Sequence, residues 1–592
     1  MKMSHWQRNL FHCVSDGRAP SPFATDYLPR SRMLTPPEER LTTPQWKCND
    51  SSETERSNLL RELELSLRST NAIQARINAL SAISRLQDEV LLEVFHSLAA
   101  IQPPGSAKQP IPRVLNLGWI LVTHVCRRWR YAALDNSTLW SHISFALGSE
   151  WTARMLERSR VSPLVIQASG PGRDLPPNLG AQLRPYLSRT RVLELYAQID
   201  TLEEILTPLV EHAPILQSLR LRADRGDEPS VISPTPNFLS LSTPNLRRVR
   251  LENVFIPWTS PIFQNPEHLQ ISLPVFDQDD WLGEDVDRPW DASLPGFLAM
   301  LEATPGLKSL HLDNAIPSIS TMSSQALDHT STVSLPDLVD LTLKGMPADA
   351  ALLLHHLELP GTARFAFTGS SEIVAADYQI LFLSIRGHLL RTRPNTPTII
   401  EIEIRDRLST SLVCAYTFNH STQTKVILFS INFPCRMRRL PGILPLLFSI
   451  VLLDHPFSLR FTGGHFLIPQ DSDWRPVFRG LRSVRSFEAS KDDVTPYLKT
   501  LQVEADEDVI FPDLEVLAIL HFVWIGEDAD SNRHLMQEQI FTVLQSRLPH
   551  ARKLQKLVLR DVNAEGLDAD WIARLQPFVS EVVTGPYPGQ VV

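Results

Sequence analysis

The chain has 592 residues, which exceeds the usual size of one domain, so its length predicts at least two structural units. Its formal net charge is -9, which argues against a dedicated nucleic-acid-binding protein, because such proteins normally carry a surplus of basic residues. The five cysteines are odd in number and widely scattered, so the sequence predicts no disulfide framework and favours a reducing compartment.

The sequence shows neither of two features that would direct a chain to a membrane. The first residues carry no basic region followed by an apolar core, as a secretory signal would. Residues 440–453 are the most apolar run, but they fall short of the ~20 residues that a membrane span needs, and two prolines interrupt them. We therefore expect a soluble protein of the cytoplasm, the nucleus or both, with no membrane partner.

The N-terminal part of the chain predicts a tail and then a helix. Residues 1–50 are rich in proline, serine, threonine and arginine without periodicity, which is typical of a disordered tail. Residues 51–80 contain good helix formers and neither glycine nor proline. Five apolar residues of this segment share one helical face: Leu59, Leu63, Ile73, Ile77 and Leu80. The sequence favours packing of this amphipathic helix on the next domain over a coiled coil.

Residues 81–147 predict a small helical domain in three parts. Residues 83–98 have a helical period, and the proline- and glycine-containing segment 101–114 then ends the helix. Residues 119–140 are again helical in period. Their predicted apolar stripe consists of Val122, Val125, Cys126 and Trp129. The neighbouring Arg127, Arg128 and Arg130 are expected to form a solvated face rather than a nucleic-acid contact.

A short pattern, P-x-L-x-x-[LV]-x-[LI], recurs in residues 150–592. Its complete copies occupy residues 214–221, 244–251, 305–312, 336–343 and 512–519, with weaker copies at 267–273 and 553–559. The alternating end of the pattern predicts a short strand, and the proline ends whatever helix comes before it. Such a unit cannot bury its apolar face alone, so stacked copies predict an irregular α/β solenoid with a parallel sheet. The pattern is hard to see over residues 363–482, whose fold the sequence leaves open.

Residues 83–143 resemble an F-box, in the divergent form that is abundant in fungi. The first half of the family pattern is matched by Ile83, Leu86, Glu89, Val90, Leu91, Val94 and Phe95. The second half is matched by Val125, Cys126, Arg127, Trp129, Arg130, Ala133, Leu139, Trp140 and Ile143. Gln87 stands where the family usually has proline, so a preset turn before the first helix is lost.

The resemblance implies a three-helix unit that binds the small Skp-type adaptor of a Skp–cullin–F-box ubiquitin ligase. The residues that it places at the adaptor contact are Leu86, Gln87, Val90, Leu91, Val94, Phe95, Val125 and Trp129. A leucine-rich-repeat-like domain after the box, here residues 150–592, would hold an unknown protein target.

The sequence offers no catalytic, metal or cofactor motif. Neither a GxxxxGK[ST] nor a GxGxxG phosphate loop occurs, and there is no GxSxG nucleophile elbow. His124 and Cys126 have no second pair at a zinc-site spacing. In the acidic residues 277–287, Trp281 and Leu282 stand where a calcium-binding loop needs a ligand and a glycine, so a solvated loop is expected there. We therefore expect a protein without enzymatic activity, metal or cofactor.

Three functions follow, in order of support. The first is the substrate-recognition subunit of a Skp–cullin–F-box ubiquitin ligase, which binds an adaptor and a protein target. The second is a scaffold whose degenerate F-box no longer engages a ligase, and Gln87 favours it. The third, an enzyme within residues 363–482, would need a deep pocket with convergent polar groups.

Overall fold

The computed structural model describes residues 50–586 except for 106–115, 170–174, 177, 225–229, 236, 240–242, 275–292, 318–331, 371–374, 392–396, 407–409, 435–441, 451–454, 464–473, 491–493, 505–507, 523–528 and 562–568. The predicted tail therefore lies outside the described residues up to residue 49, and so does the acidic stretch 277–287. The chain divides into two compact units, Met1–Ser81 and Ala82–Val592.

The first unit contains a single described helix, α1, over Asp50–Ala79. It is uninterrupted, as the lack of glycine and proline predicts, and its large apolar side chains are between 48% and 62% exposed. Across the described parts of the chain, no helix is both long enough and apolar enough to cross a membrane.

The second unit begins with a helical segment. Its elements are a 3-10 turn over Ala82–Arg85, α2 over Asp88–Ile101, a 3-10 helix over Gly118–His124 and α3 over Arg127–Asp135. The predicted apolar stripe from Val122 to Trp129 does not lie on one helix. Cys126 is extended, with φ -156° and ψ 169°, so the chain changes direction there and begins α3 at the next residue.

The rest of the second unit alternates helices and strands. The further helices are α4 Ser149–Arg158, α5 Leu179–Leu183, α6 Ile199–Leu206, α7 Leu294–Glu302, α8 Pro347–His355, α9 Ala375–Arg391, α10 Leu444–Ile450, α11 Arg475–Phe478, α12 Thr495–Leu501, α13 Ala529–Arg547 and α14 Ala569–Leu575, with 3-10 turns at Arg184–Arg189 and Pro261–Phe263. The strands are β1 His142–Ser144, β2 Leu164–Ser169, β3 Thr190–Gln198, β4 Ser218–Asp224, β5 Arg248–Glu252, β6 His268–Ser272, β7 Ser309–Asp313, β8 Val333–Ser334, β9 Asp340–Gly345, β10 Leu357–Glu358, β11 Arg364–Gly369, β12 Ile399–Asp406, β13 Ser411–Asn419, β14 Thr424–Phe433, β15 Phe457–Gly463, β16 Val484–Ser490, β17 Val516–Phe522, β18 Leu554–Asp561 and β19 Val579–Pro586.

Seventeen of these strands form one sheet, while β8 and β10 pair separately. The pairings run from β1 through β7 in chain order and then to β9 and β11. They continue through β14, β13, β12 and β15, and finally through β16 to β19. Every pairing of this sheet is parallel except the two that β13 makes. The predicted α/β class with a mostly parallel sheet is confirmed, whereas a solenoid stays a prediction.

The recurring leucine pattern lies on neighbouring strands. Leu221 of β4 stands beside Leu251 of β5, and the ladder continues through Ile271, Leu312 and Leu343. These side chains are buried, so the alternating half of each copy forms the core face of the sheet. The earlier leucine of each copy, such as Leu216 or Leu246, donates its backbone N–H across a tight turn before the strand.

The segment 363–482, in which the pattern fades, continues the same sheet by a different route. Strands β12, β13 and β14 enter it in reverse order, with β13 antiparallel to both neighbours. Since β14 pairs with β11 and β12 pairs with β15, this meander lies between two parallel parts of the sheet. Hairpin connections need no helix between strands, which explains why the pattern of helix, turn and strand is absent here.

Candidate functional site

The helical segment over residues 82–147 is held together by its own aromatic core. Phe95 of α2 meets Trp129 of α3 edge to face, with ring centroids 5.3 Å apart and planes at 63°. Trp119 and Trp140 form a second such pair at 4.9 Å. The indole N–H of Trp140 also donates to the Ala133 carbonyl over 2.8 Å, which ties the end of the segment to α3.

This core changes the assignment of two residues that sequence reasoning placed at the adaptor contact. Leu91 and Phe95 are 0% exposed, so they hold α2 against the other helices and are closed to a partner in this conformation. Trp129 is half-buried against Phe95 and supports the surface from beneath. The assignment could not separate these positions because helical period alone does not say which apolar side chains meet within the chain.

The other predicted contact residues lie at the surface. Val90 and Val94 are 46% and 47% exposed, and they share a face of α2 because they are four residues apart. Val125, just after the 3-10 helix, is 51% exposed, and that helix packs against α2. Leu86 is half-buried directly before α2. Further exposed apolar residues that sequence reasoning did not assign to the contact are Ile83, Ile101 and Leu121.

We call these seven residues the apolar patch: Ile83, Leu86, Val90, Val94, Ile101, Leu121 and Val125. Single exposed apolar residues are ordinary. Val90, Val94 and Ile101 share one face of α2 because they are four and seven residues apart, and the 3-10 helix that contains Leu121 packs against α2. An exposed apolar face of this kind favours a surface that another protein covers. The repeated spacing of Val90 and Val94 was the available signal for it, while Leu121 gave none because it lies outside the predicted apolar stripe that begins at Val122.

Gln87 occupies the N-cap position of α2. Its backbone has φ -66° and ψ 155°, and its carbonyl accepts the first helical hydrogen bond, from the Leu91 N–H over 3.1 Å. A φ of this size is the one that a proline ring imposes. The backbone therefore has the conformation of the family's usual proline even though the side chain differs.

Arg128 fixes the start of α2 to the start of α3, a role that sequence reasoning missed. Its guanidinium donates to the Asp88 carboxylate over 2.7 and 3.0 Å, to the Ser84 carbonyl over 2.7 Å and to the Leu86 carbonyl. The expected solvated arginine face is therefore wrong for this residue. Arg130 is also engaged, since its Nε donates to the Thr123 carbonyl over 2.7 Å.

The segment is joined to the sheet through its last residues. The Asn136 carboxamide oxygen accepts hydrogen bonds from the backbone N–H groups of Thr138 and Leu139, at 3.1 and 3.2 Å, and so closes a turn. Strand β1 follows within a few residues and pairs in parallel with β2, where Ile143 stands beside Ile166. The apolar patch and the sheet therefore belong to one compact unit.

The sheet has one buried face and one polar face. On the polar face Arg220, Arg222 and Arg250 surround the carboxylate of Glu252, at distances between 2.6 and 3.3 Å. The Arg222 guanidinium also lies 4.7 Å from the ring centroid of Tyr196. Three guanidinium groups share one carboxylate here, and Asp224 and Glu194 lie on the neighbouring strands, so this part of the face is a network of mixed charges.

A second polar cluster lies on the antiparallel part of the sheet. Tyr416 and Arg405 each donate to Glu403 Oε2 over 2.8 Å, and Thr462 donates to Glu403 Oε1 over 3.0 Å. Burial alone would raise the pKa of Glu403, but these hydrogen bonds lower it to about 2. Burial and the bond to Glu403 raise the pKa of Tyr416. The cluster is internally satisfied and serves to hold the strands.

No group of three His, Cys, Asp or Glu side chains within the described ranges could hold a metal ion. The cavity beneath His388 and Phe429 has a volume of about 20 Å³, room for roughly one water molecule. This cavity is not the deep polar pocket that an enzyme within residues 363–482 would need.

One comparison with known proteins finds a family-model match for a part of the chain. Residues 83–146 match the family model of F-box-like domains, and these residues contain the whole apolar patch. No curated protein was found to match the chain. The match supports an F-box protein and a role in binding the adaptor of a ubiquitin ligase.

Proposed function

We propose that this chain is the substrate-recognition subunit of a Skp–cullin–F-box ubiquitin ligase. The observation that carries the proposal is the coincidence of the F-box-like match over residues 83–146 with the apolar patch. F-box domains typically bind Skp-type adaptors, and an apolar patch on a rigid helical unit suits such a partner. Burial of its valines and leucines would supply most of the binding energy, at about 25 cal/mol for each Å² removed from water.

The second half of the proposal concerns the target. We place a protein target on the polar face of the sheet, where Tyr196, Arg222 and Arg250 offer an aromatic ring and guanidinium donors. Tyrosine and arginine are among the side chains enriched at energetically dominant interface positions. Because β1 joins the helical segment to the sheet, a target held there would keep a fixed orientation toward the adaptor.

In this proposal the chain does no chemistry itself. Ubiquitin transfer belongs to other subunits, and the chain brings the target close to them, which converts a rare encounter into a local reaction. We place this activity in the cytoplasm, the nucleus or both.

The decisive experiment measures binding of a purified Skp-type adaptor to the full chain by calorimetry. Val90→Asp combined with Val94→Asp should abolish binding, because each places a charge on the apolar patch. Both side chains are about half exposed, so the fold should survive. Val161→Asp is the matched control, since Val161 is 89% exposed and lies outside the patch.

A wild-type chain that fails to bind the adaptor would refute the ligase function and favour the scaffold with a degenerate F-box. The backbone conformation of Gln87 favours the ligase function over that alternative, because its φ of -66° is the angle that the family's usual proline would impose. For the target, affinity purification with mass spectrometry under proteasome inhibition should enrich a set of proteins with the wild-type chain. The variant that combines Tyr196→Ala with Arg222→Ala should lose the target from this set. If the variant retains every protein that the wild-type chain enriches, this part of the sheet does not hold the target.

A further inference from the structure

Helix α1 carries a row of exposed apolar side chains that the proposed function does not use. The helix has 30 residues and is therefore about 45 Å long, yet its described side chains are exposed along its whole length. Leu59, Leu63, Ile73 and Ile77 are between 54% and 62% exposed. An isolated helix draws little stability from its own propensity, so an apolar row of this length favours a helix with a partner.

The spacing of this row is that of a coiled-coil seam. Successive steps of four and three residues run through positions 59, 63, 66, 70, 73 and 77, which alternate as d and a sites of a heptad. The two central positions are Ser66 and Thr70, so apolar pairs flank a polar middle. The Thr70 hydroxyl donates to the Ser66 carbonyl over 3.0 Å, which gives that hydroxyl a partner when the seam is covered.

From this symmetry we infer that α1 pairs antiparallel with α1 of a second copy of this chain. In an antiparallel pair each a site of one helix packs on a d site of the other helix. In the pairing inferred here, the residue numbers of two facing seam positions add up to 136. Leu59 then meets Ile77, Leu63 meets Ile73, and Ser66 meets Thr70 of the second copy. Apolar layers meet apolar layers, and the polar layer meets itself.

The flanking positions distinguish this arrangement from a parallel one. In the antiparallel pair Glu62 lies beside Arg76 of the second copy, twice by symmetry, and Leu67 meets its own equivalent. A parallel pair would instead place Glu62 against Leu67, a charge against an apolar side chain. Charge complementarity therefore selects the antiparallel pair, while the Arg68–Glu64 ion pair lies on the outer side of the helix.

Sedimentation equilibrium of the full chain tests the inference. We expect a mass twice the 66.8 kDa of one chain at micromolar concentration. Leu63→Asp combined with Ile73→Asp should give a monomer. The matched control is Leu65→Asp, because Leu65 is 59% exposed but lies off the seam, and it should remain dimeric.

Orientation is tested by exchanging charges. Glu62→Arg or Arg76→Glu alone should raise the dissociation constant by about fivefold, because each places like charges together twice. The double variant should restore wild-type association. A monomer at every concentration, or dissociation by Leu65→Asp as strong as by the seam variant, would overturn the pairing. Single charge variants without effect on an intact dimer would overturn the antiparallel orientation. None of these outcomes depends on adaptor binding.

Discussion

The ring of Phe95 meets the ring of Trp129 edge to face across the boundary between α2 and α3, with centroids 5.3 Å apart. The adjacent Val94 points away from this contact and is 47% exposed. Neighbouring residues of one helix thus serve two purposes, one within the fold and one at its surface. This separation allows folding and partner binding to be perturbed independently.

Truncation of the two neighbours should have very different effects on stability. Phe95→Ala removes a fully buried ring and leaves a cavity, so it should lower the free energy of unfolding by about 3–5 kcal/mol. Val94→Ala removes half-exposed methyl groups and should change it by no more than about 0.5 kcal/mol. Denaturant unfolding followed by tryptophan fluorescence measures both. Equal losses from the two variants would show that the helical segment is not built around the Phe95–Trp129 pair.

Gln87→Pro should make the chain slightly more stable. The φ of Gln87 is -66°, so a proline ring fits without rearrangement and reduces the conformational freedom of the unfolded chain. We expect a gain of about 0.4–1 kcal/mol in the free energy of unfolding. Adaptor affinity should stay the same or rise, as calorimetry can show. A destabilised variant would mean that the residue before position 87 cannot accommodate a following proline.

Much of this architecture was predictable from local sequence. The L-x-L ends of the repeats specify strands by themselves, and Leu221 and Leu251 accordingly stand side by side in the sheet. The break at Cys126 was not predictable. The apolar spacing of three and four residues continues across Cys126, although the helix is interrupted there. Likewise, whether Phe95 or Val94 faces a partner depends on where Trp129 lies, which is a tertiary fact. The reversed order of β12 to β14 depends on hairpin connections that no repeat encodes.

Arg128→Lys should destabilise the N-terminal turn of α2, although it retains the positive charge. The guanidinium serves Asp88 and the carbonyls of Ser84 and Leu86 together, and a lysine ammonium cannot reproduce this planar fork. We expect faster amide hydrogen exchange over residues 84–91, by about tenfold for each 1.4 kcal/mol lost. Arg127→Lys is the matched control, because Arg127 is the exposed neighbour. Unchanged exchange rates in the Arg128 variant would show that these hydrogen bonds contribute nothing to the stability of the first turn of α2.

His388 should make stability fall in mildly acidic solution. Burial and the nearby Arg391 lower its pKa to about 4, whereas an unfolded histidine has a pKa of 6.5. Because the unfolded chain binds this proton more readily, the contribution is fully present above pH 6.5 and is lost as the pH falls toward 4. His388→Gln should flatten the dependence of the thermal midpoint on pH within this window. An unchanged slope would place the acid sensitivity at other groups.

Glu403 should make stability depend on pH over a range below the one in which His388 acts. Hydrogen bonds from Arg405, Tyr416 and Thr462 outweigh the effect of burial and hold its pKa at about 2, below the ordinary value of 4.5. The folded chain therefore keeps this carboxylate charged, and its stabilising effect is present above pH 4.5 and lost between 4.5 and 2. Glu403→Gln replaces charged hydrogen bonds with neutral ones in a buried cluster, so it should cost about 1–3 kcal/mol at neutral pH. It should also remove part of the pH dependence below 4.5, as thermal midpoints across that range can show. Glu581→Gln is the control, because the ion pair between Glu581 and Lys556 is exposed and should contribute less than about 1 kcal/mol. If the two variants lose equal stability, the cluster around Glu403 does not hold the antiparallel strands in place.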